Sequence, residues 1–319
     1  MRILSAFLFT AIVFTGTAAH AQDGKKQPKK EQTENADDLM AMLDSEDGHK
    51  PKEYTTATFK STRVINGQSI ENTAKGVLDF RVSHRFGELS DADNFFGLDN
   101  ANTSIGFDYG ITNDVMVGIS RSTYDKEFQA FTKIKLLRQT DTKDMPVSVS
   151  YMGAAAVHAR KQPDPLPAGQ TFYFTNRLTY VNQLLIARKF SSKFSLQLMP
   201  THIHYNIVPT IAEPNDMFAL GIGGRLKLSN RISLTGEYYY RFNELNGYFN
   251  SASIGIDIET GGHVFQLMVT NATAMTERAF IGQTTSDIAD GGIHFGFNIS
   301  RVFTIVRPKE FEGTRSKIW

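Results

Sequence analysis

The sequence predicts an all-β chain, folded as an antiparallel up-and-down transmembrane β-barrel of about twelve strands. Three observations carry that expectation. After residue 76, about twelve runs alternate apolar and polar residues with period two. The gaps between those runs alternate in length. The apolar faces also carry aromatic residues near one set of strand ends.

The gaps after the even runs are tight: Ile111–Asp114, Gln139–Pro146, Ser191–Lys193, Ser229–Arg231 and Glu259–Gly262. Those after the odd runs are mostly longer: Gly87–Thr103, Arg121–Glu127, Lys161–Gln170, Asn206–Asp216, Asn243–Asn250 and Thr270–Asp290. A barrel in the outer membrane has short periplasmic turns and longer external loops. A soluble sandwich has no reason to sort its loops by parity.

Met1–Ala21 reads as a signal peptide. Arg2 supplies a positive start, Ile3–Phe14 is apolar, and Ala19-His20-Ala21 is a small-x-small cleavage site. The apolar run is too short for a membrane anchor. Residues 22–53 form a polar leader without an aromatic residue, expected to be disordered and periplasmic. Within it, Leu39, Met40, Met42 and Leu43 could form one amphipathic turn, as a solvated linker or a partner-binding peptide. Residues 54–75 (YTTATFKSTRVINGQSIENTAK) mix β-branched and polar side chains. They fit a periplasmic arm, a plug inside the barrel or an extra strand. The barrel is expected over 76–305, with a tail over 306–319.

The first strand shows the pattern best. Leu78, Phe80, Val82, His84 and Phe86 share one face, and Asp79, Arg81, Ser83 and Arg85 the other. Ile105, Phe107 and Tyr109 oppose Ser104, Gly106 and Asp108. Phe128, Ala130, Thr132, Ile134 and Leu136 oppose Gln129, Lys133 and Lys135. Phe218, Leu220, Ile222, Leu226 and Leu228 oppose Arg225 and Lys227. Ile232, Leu234, Tyr238 and Tyr240 oppose Ser233, Thr235, Glu237 and Arg241. Ile254, Ile256 and Ile258 oppose Ser253, Asp257 and Glu259. Pro200 predicts a bulge or an end in the seventh run.

Alternation alone does not separate inside from outside, and a soluble β-sandwich or lipocalin-like barrel reverses the faces. Runs of about ten residues suit a tilted membrane strand. Phe86, Phe128, Phe172, Phe218 and Tyr240 suit an interfacial girdle, although the one tryptophan, Trp319, lies outside any strand. The chain has no cysteine, so no disulfide stabilises it after export. Its 34 basic and 33 acidic residues give no electrostatic footprint for nucleic acid. The mean hydropathy of −0.27 is compatible with a barrel in which alternate residues face lipid.

No catalytic motif is present, and neither an enzyme nor a cofactor is expected. His202 and His204 share a strand face that can bind a metal, but no carboxylate lies close in sequence, so no metal site is expected. His294 and Ser300 share a face about six residues apart, too far for a hydrogen bond within a strand. The inward charges are the candidate lumen residues: Asp79, Arg81, Arg85, Lys133, Lys135, Arg225, Lys227, Glu237, Arg241, Asp257 and Glu259. They could set the selectivity of a pore or close a small barrel through salt bridges. Asn271–Asp290 carries Met275, Glu277, Phe280 and Gln283, candidates for a binding surface or a loop folded into the barrel mouth. The last strand aligns Ile293, Phe295, Phe297, Ile299 and Phe303 on one face, like the signal read by the outer-membrane barrel assembly machinery; Arg301 interrupts it and can snorkel.

The segments Thr58–Glu71, Lys75–Gly87, Asn94–Thr112, Ala279–Thr285 and His294–Phe303 (TFKSTRVINGQSIE, KGVLDFRVSHRFG, NFFGLDNANTSIGFDYGIT, AFIGQTT and HFGFNISRVF) resemble a family of exported Bacteroidetes proteins described as β-barrels of unknown function. The resemblance implies an outer-membrane barrel and brings no activity. The expected function is a passive channel or small-solute binding barrel with a charged lumen. Its partners would be outer-membrane lipid, the assembly machinery and small solutes or periplasmic proteins. The rival readings are a structural or assembly barrel with a closed lumen, binding partners through leader and loops, and a soluble exported binding barrel.

Overall fold

The computed structural model describes residues 53–306 except 92, 94, 142–143, 160–170, 209–212 and 244–246. The expected signal peptide, nearly all of the leader and tail, and the gap at Lys161–Gln170 lie outside the described residues. Among those described, twelve strands occur in chain order. They are β1 (Val77–Glu88), β2 (Ala101–Gly110), β3 (Val115–Ser122), β4 (Phe128–Leu137), β5 (Ser148–Val157) and β6 (Leu178–Lys189). Then follow β7 (Phe194–Tyr205), β8 (Asp216–Lys227), β9 (Ile232–Arg241), β10 (Ser251–Thr260), β11 (His263–Thr270) and β12 (His294–Thr304). Each pairs antiparallel with its chain neighbours, and β1 pairs with β12, so the sheet closes into a barrel with no free edge. The closing seam aligns Leu78 with Phe303 and Val82 with Ile299.

The short turns all lie at one end. The tightest is Gly261-Gly262 between β10 and β11, where both residues have positive φ (+46° and +107°), a conformation that a side chain disfavours. Pro200 neither bulges nor ends its strand. β7 runs through it, and the β6–β7 register is the same on either side, at Gln183↔Thr201 and Ile186↔Leu198. A missing N–H costs local ladder bonds without shifting the chain.

The faces sort as the alternation predicts. Ile119, Leu136, Leu220, Ile222, Ile254, Ile256 and Leu267 are exposed on the outer wall. So are Phe128, Phe218 and Tyr240 near the long-loop end. A continuous exposed apolar belt on a closed sheet is what lipid requires and water penalises. Among the described residues, no helix is long and apolar enough to cross a membrane.

The interior is packed. Residues 58–73 lie largely inside the barrel, as a plug rather than an arm or an extra strand, while Tyr54, Thr56, Ala57, Ala74 and Lys75 are exposed at its short-turn rim. Phe59, Val64 and Ile70 are buried with Met116, Met152, Met199, Met217, Leu185 and Ile203 of the wall. A short helix, α1 (Glu277–Gly282), is buried along its whole length in the other end of the barrel. Apolar residues at these inward positions depart from the purely polar lumen expected of the alternation.

Candidate functional site in the barrel lumen

The N-terminal segment enters from the short-turn end. There the Thr55 amide donates to the Gln139 carbonyl (2.9 Å) and Lys189 Nζ to the Thr56 carbonyl (2.8 Å). It then climbs to a tight hairpin at Val64–Gly67, returns, and leaves beside Asn113 and Gly110 to join β1. Within the hairpin, Val64 N–H donates to the Gly67 carbonyl (2.8 Å) and Ser69 N–H to the Thr62 carbonyl (3.0 Å). Gly67 is required by contact. A Cβ there would lie 2.0 Å from the Tyr239 hydroxyl oxygen.

The predicted lumen residues converge on this segment. Glu237 accepts from three successive amides, of Ile65 (3.3 Å), Asn66 (2.8 Å) and Gly67 (3.1 Å), so its buried charge sits in a cup of N–H dipoles. Arg85 donates to the Asn66 side-chain oxygen (2.6 Å from Nη2) and to that of Asn298 (3.0 Å). Lys133 donates to the carbonyls of Ser69 (2.9 Å) and Glu71 (2.7 Å), and Arg225 to those of Ala57 (3.0 Å) and Thr58 (3.2 Å). Arg81 bridges Asp108 (3.0 Å) and the Thr62 hydroxyl (3.2 Å), while Asp79 accepts from that hydroxyl (3.3 Å). Each of these charged groups has at least one hydrogen-bond partner, which lowers the cost of its burial, although Asp79 Oδ1 and Asp108 Oδ1 are buried without one.

The remaining predicted residues are less central. Asp257 accepts from Thr235 (3.2 Å) and Gln266 (3.0 Å) on the wall itself. Glu259 forms an ion pair with Lys60. Lys135 and Lys227 are half-buried at the short-turn rim. Arg241 faces the long-loop end and donates to the carbonyls of Gly282 and Tyr248.

Sequence patterning passed over three neutral amides that do similar work. Gln197 donates to the Gln68 carbonyl (2.7 Å), Gln266 to that of Val64 (2.9 Å) and Asn298 to that of Ile65 (3.0 Å). It also passed over Phe131, whose ring lies 5.0 Å under the Arg63 guanidinium, and Tyr239. An available signal was methionine at inward parity on β3, β5, β7 and β8.

At the long-loop end, Phe280 is buried with its ring 5.2 Å from that of Tyr239, and Ala279 and Ile281 are buried beside it. Arg278 pairs with Glu127 (2.7 Å) and Asp125 (2.8 Å). Burial alone lowers the pKa of Arg278, but Glu127 first, then Tyr205 and Asp125, more than reverse this and hold it above the ordinary value. Glu277 accepts from Gln129 and from Gln68 (3.1 Å), so helix and hairpin meet in mid-lumen. Of the four loop candidates, Glu277 and Phe280 are buried and Met275 and Gln283 are half-buried. This loop is folded into the barrel mouth.

One further group differs from its sequence reading. A carboxylate does reach His202 and His204: Asp216 lies across the β7–β8 hairpin and accepts from both, at 2.9 and 2.8 Å. Neighbourhood in sequence missed it because the pairing is cross-strand. His294 bonds Ser286 (2.9 Å) and the Phe86 carbonyl (3.0 Å).

The barrel is similar to several solved outer-membrane proteins. It matches the NanC porin at 9% identity and a TM-score of 0.46, over 72% of this chain and 100% of that one. It matches an outer membrane channel from Pseudomonas putida F1 at 13% identity and 0.43, over 73% and 98%. It matches the Acinetobacter baumannii outer membrane protein Omp33 at 12% and 0.37, over 74% and 100%. No curated protein matches the sequence. The model of the membrane bound beta barrel domain family (DUF5777) matches residues 59–303, which include most of the lumenal segment and all twelve strands except Thr304 at the end of β12. The chain therefore belongs to that family of membrane-bound β-barrels.

Proposed function

We propose that this barrel is a passive outer-membrane channel for small solutes, closed in the present structure by its own N-terminal segment. The observation that carries the reading is how the wall holds that segment. Glu237, Lys133, Arg225, Gln197, Gln266 and Asn298 all bond its main chain. When such bonds break, water replaces each of them at a net cost of about 0.5–1.5 kcal/mol, or about 1.5–3 kcal/mol for the charged ones. The wall left behind is polar and ionisable, as an aqueous path needs. The segment is also a separate stretch of chain, outside the strand order of the barrel.

The reading includes export through the signal at Met1–Ala21 in a Gram-negative cell and insertion by the assembly machinery acting on β12. It assigns no catalytic role. One observation favours a second reading, a structural barrel that stays closed: Phe59, Val64 and Ile70 bury apolar surface against the wall methionines.

Planar-bilayer conductance separates the two, with heat-modifiable gel migration confirming a folded barrel. The full chain is expected to be mostly silent. Gly67→Leu, which drives the hairpin off Tyr239 and leaves the wall sequence unchanged, is expected to give discrete ion-selective steps. Adding Arg81→Gln should then change that selectivity. A folded Gly67→Leu barrel that stays silent favours the closed structural reading.

A further inference from the structure

At the short-turn end, a cavity of about 240 Å³ opens between the two limbs of the N-terminal segment and the wall. The entering limb lines it with Thr56 and Thr58, the returning limb with Glu71 and Thr73, and the wall with Lys135 of β4 and the adjoining Arg138. A solute seated there touches both limbs and the wall at once.

The charges around this cavity are unevenly matched. Glu71 is engaged by the segment itself, since its Oε1 accepts from the amides of Thr58 (2.7 Å) and Phe59 (3.3 Å). Arg138 pairs with Asp114 and lies 5.4 Å from the centre of the Tyr54 ring. Lys135 differs from both. It is half-buried, and among the described residues its ammonium group makes no hydrogen bond or ion pair. Lys133, two residues earlier on the same face, donates to the carbonyls of Ser69 and Glu71. Thr73 lines the cavity with Lys135, and its hydroxyl is buried without a partner.

An ammonium group brings three donors and a charge. A small oxyanion supplies both several acceptor oxygens and the missing counter-charge, in the stronger, charge-assisted kind of hydrogen bond. Water supplies the acceptor without the charge, and a metal cation is repelled by Lys135 and Arg138. The cavity exceeds many-fold the roughly 10–15 Å³ that one water needs.

We propose that this cavity binds a small oxyanion, a phosphate or a carboxylate, on Lys135, and that the bound anion ties both limbs of the N-terminal segment to the wall. The inference goes beyond the channel reading, since it needs the segment in the lumen and not a barrel that conducts. An anion bound only while the segment is in place favours that arrangement by mass action.

The test uses full-length Ser61→Cys, folded in detergent, and a water-soluble maleimide. Sodium phosphate and sodium acetate are titrated in turn, with sodium chloride holding the ionic strength constant. At least one of them is expected to slow labelling saturably, by about ten-fold at ten times its half-maximal concentration. A response to phosphate alone assigns the site to phosphates, and a response to acetate assigns it to carboxylates as well. In Lys135→Met the rates with and without anion are expected to coincide. Lys227→Met, which removes a cation of the same rim outside the cavity, is expected to keep the response. Slowing by neither anion, slowing that does not saturate, or slowing that survives in Lys135→Met overturns the anion site and leaves the channel reading standing. Rapid labelling at 61 that no anion changes overturns the lumenal position on which both rest. If Lys135→Met does not fold, Lys135→Gln takes its place.

Discussion

The N-terminal segment fills the lumen from the short-turn end and α1 packs into its long-loop mouth, and the wall grips them differently. The first is held largely by its main chain, by side chains of β4, β7, β8, β9, β11 and β12, while β1 grips its Thr62 and Asn66 side chains. The second is held chiefly by its own side chains, through the Arg278 ion pairs with Asp125 and Glu127 and the packing of Phe280 on Tyr239, with Tyr205 and Arg241 adding bonds to the Arg278 and Gly282 carbonyls. A grip on main chain is distributed, so no single bond dominates and the segment can leave stepwise. A grip on one buried cation is concentrated. Losing it strands two buried carboxylates, so α1 behaves as part of the scaffold.

That contrast sets the order of expected effects. Arg278→Ala should cost most, about 3–5 kcal/mol, because Glu127 and Asp125 are left buried without their cation. Heat-modifiable migration should shift to lower temperature, and the long-loop end should become protease-sensitive. Glu237→Gln should cost less, about 1.5–3 kcal/mol, by weakening the acceptor of three amides. Its effect should fall on the segment: a cysteine placed at Ser61 should label faster while the barrel transition stays near that of the parent. Gly67→Ala should cost about 1–3 kcal/mol, because its Cβ collides with the Tyr239 hydroxyl. Tyr239→Phe should restore part of that loss, and a double-mutant cycle in urea reads the coupling. Lys60→Ala should cost at most about 1 kcal/mol, since its ion pair with Glu259 is partly exposed. An equal loss from Arg278→Ala and Lys60→Ala would remove the distinction between scaffold and removable segment.

The wall was legible in the sequence because a lipid-facing strand must alternate. Asp79, Arg81 and Arg85 opposite Phe80, Val82 and Phe86 leave one arrangement when water is absent outside. The position of the N-terminal segment was not. Many of its contacts are made to main-chain atoms, which every residue carries, so its composition holds no trace of those. Asn66-Gly67 between β-branched runs did mark a hairpin. Nothing in those residues indicated that the hairpin lies inside. The inward methionines and Tyr239 were hidden for a related reason: alternation sorts residues by face, and an apolar residue on the polar face reads as noise until the segment that covers it is located.

The central claim is that residues 57–71 occupy the lumen of the folded barrel. The chain has no cysteine, so single introduced cysteines report cleanly on access. The decisive measurement compares the rates at which a water-soluble maleimide labels Ser69→Cys and Tyr54→Cys in the folded protein in vesicles open to the reagent on both sides. Ser69 is fully buried in mid-lumen and Tyr54 is 51% exposed at the rim. The account predicts rapid labelling at 54 and labelling at 69 slower by at least a hundred-fold, rising when Gly67→Leu is added. Equal, rapid labelling at both positions would place the segment outside the barrel and contradict the account.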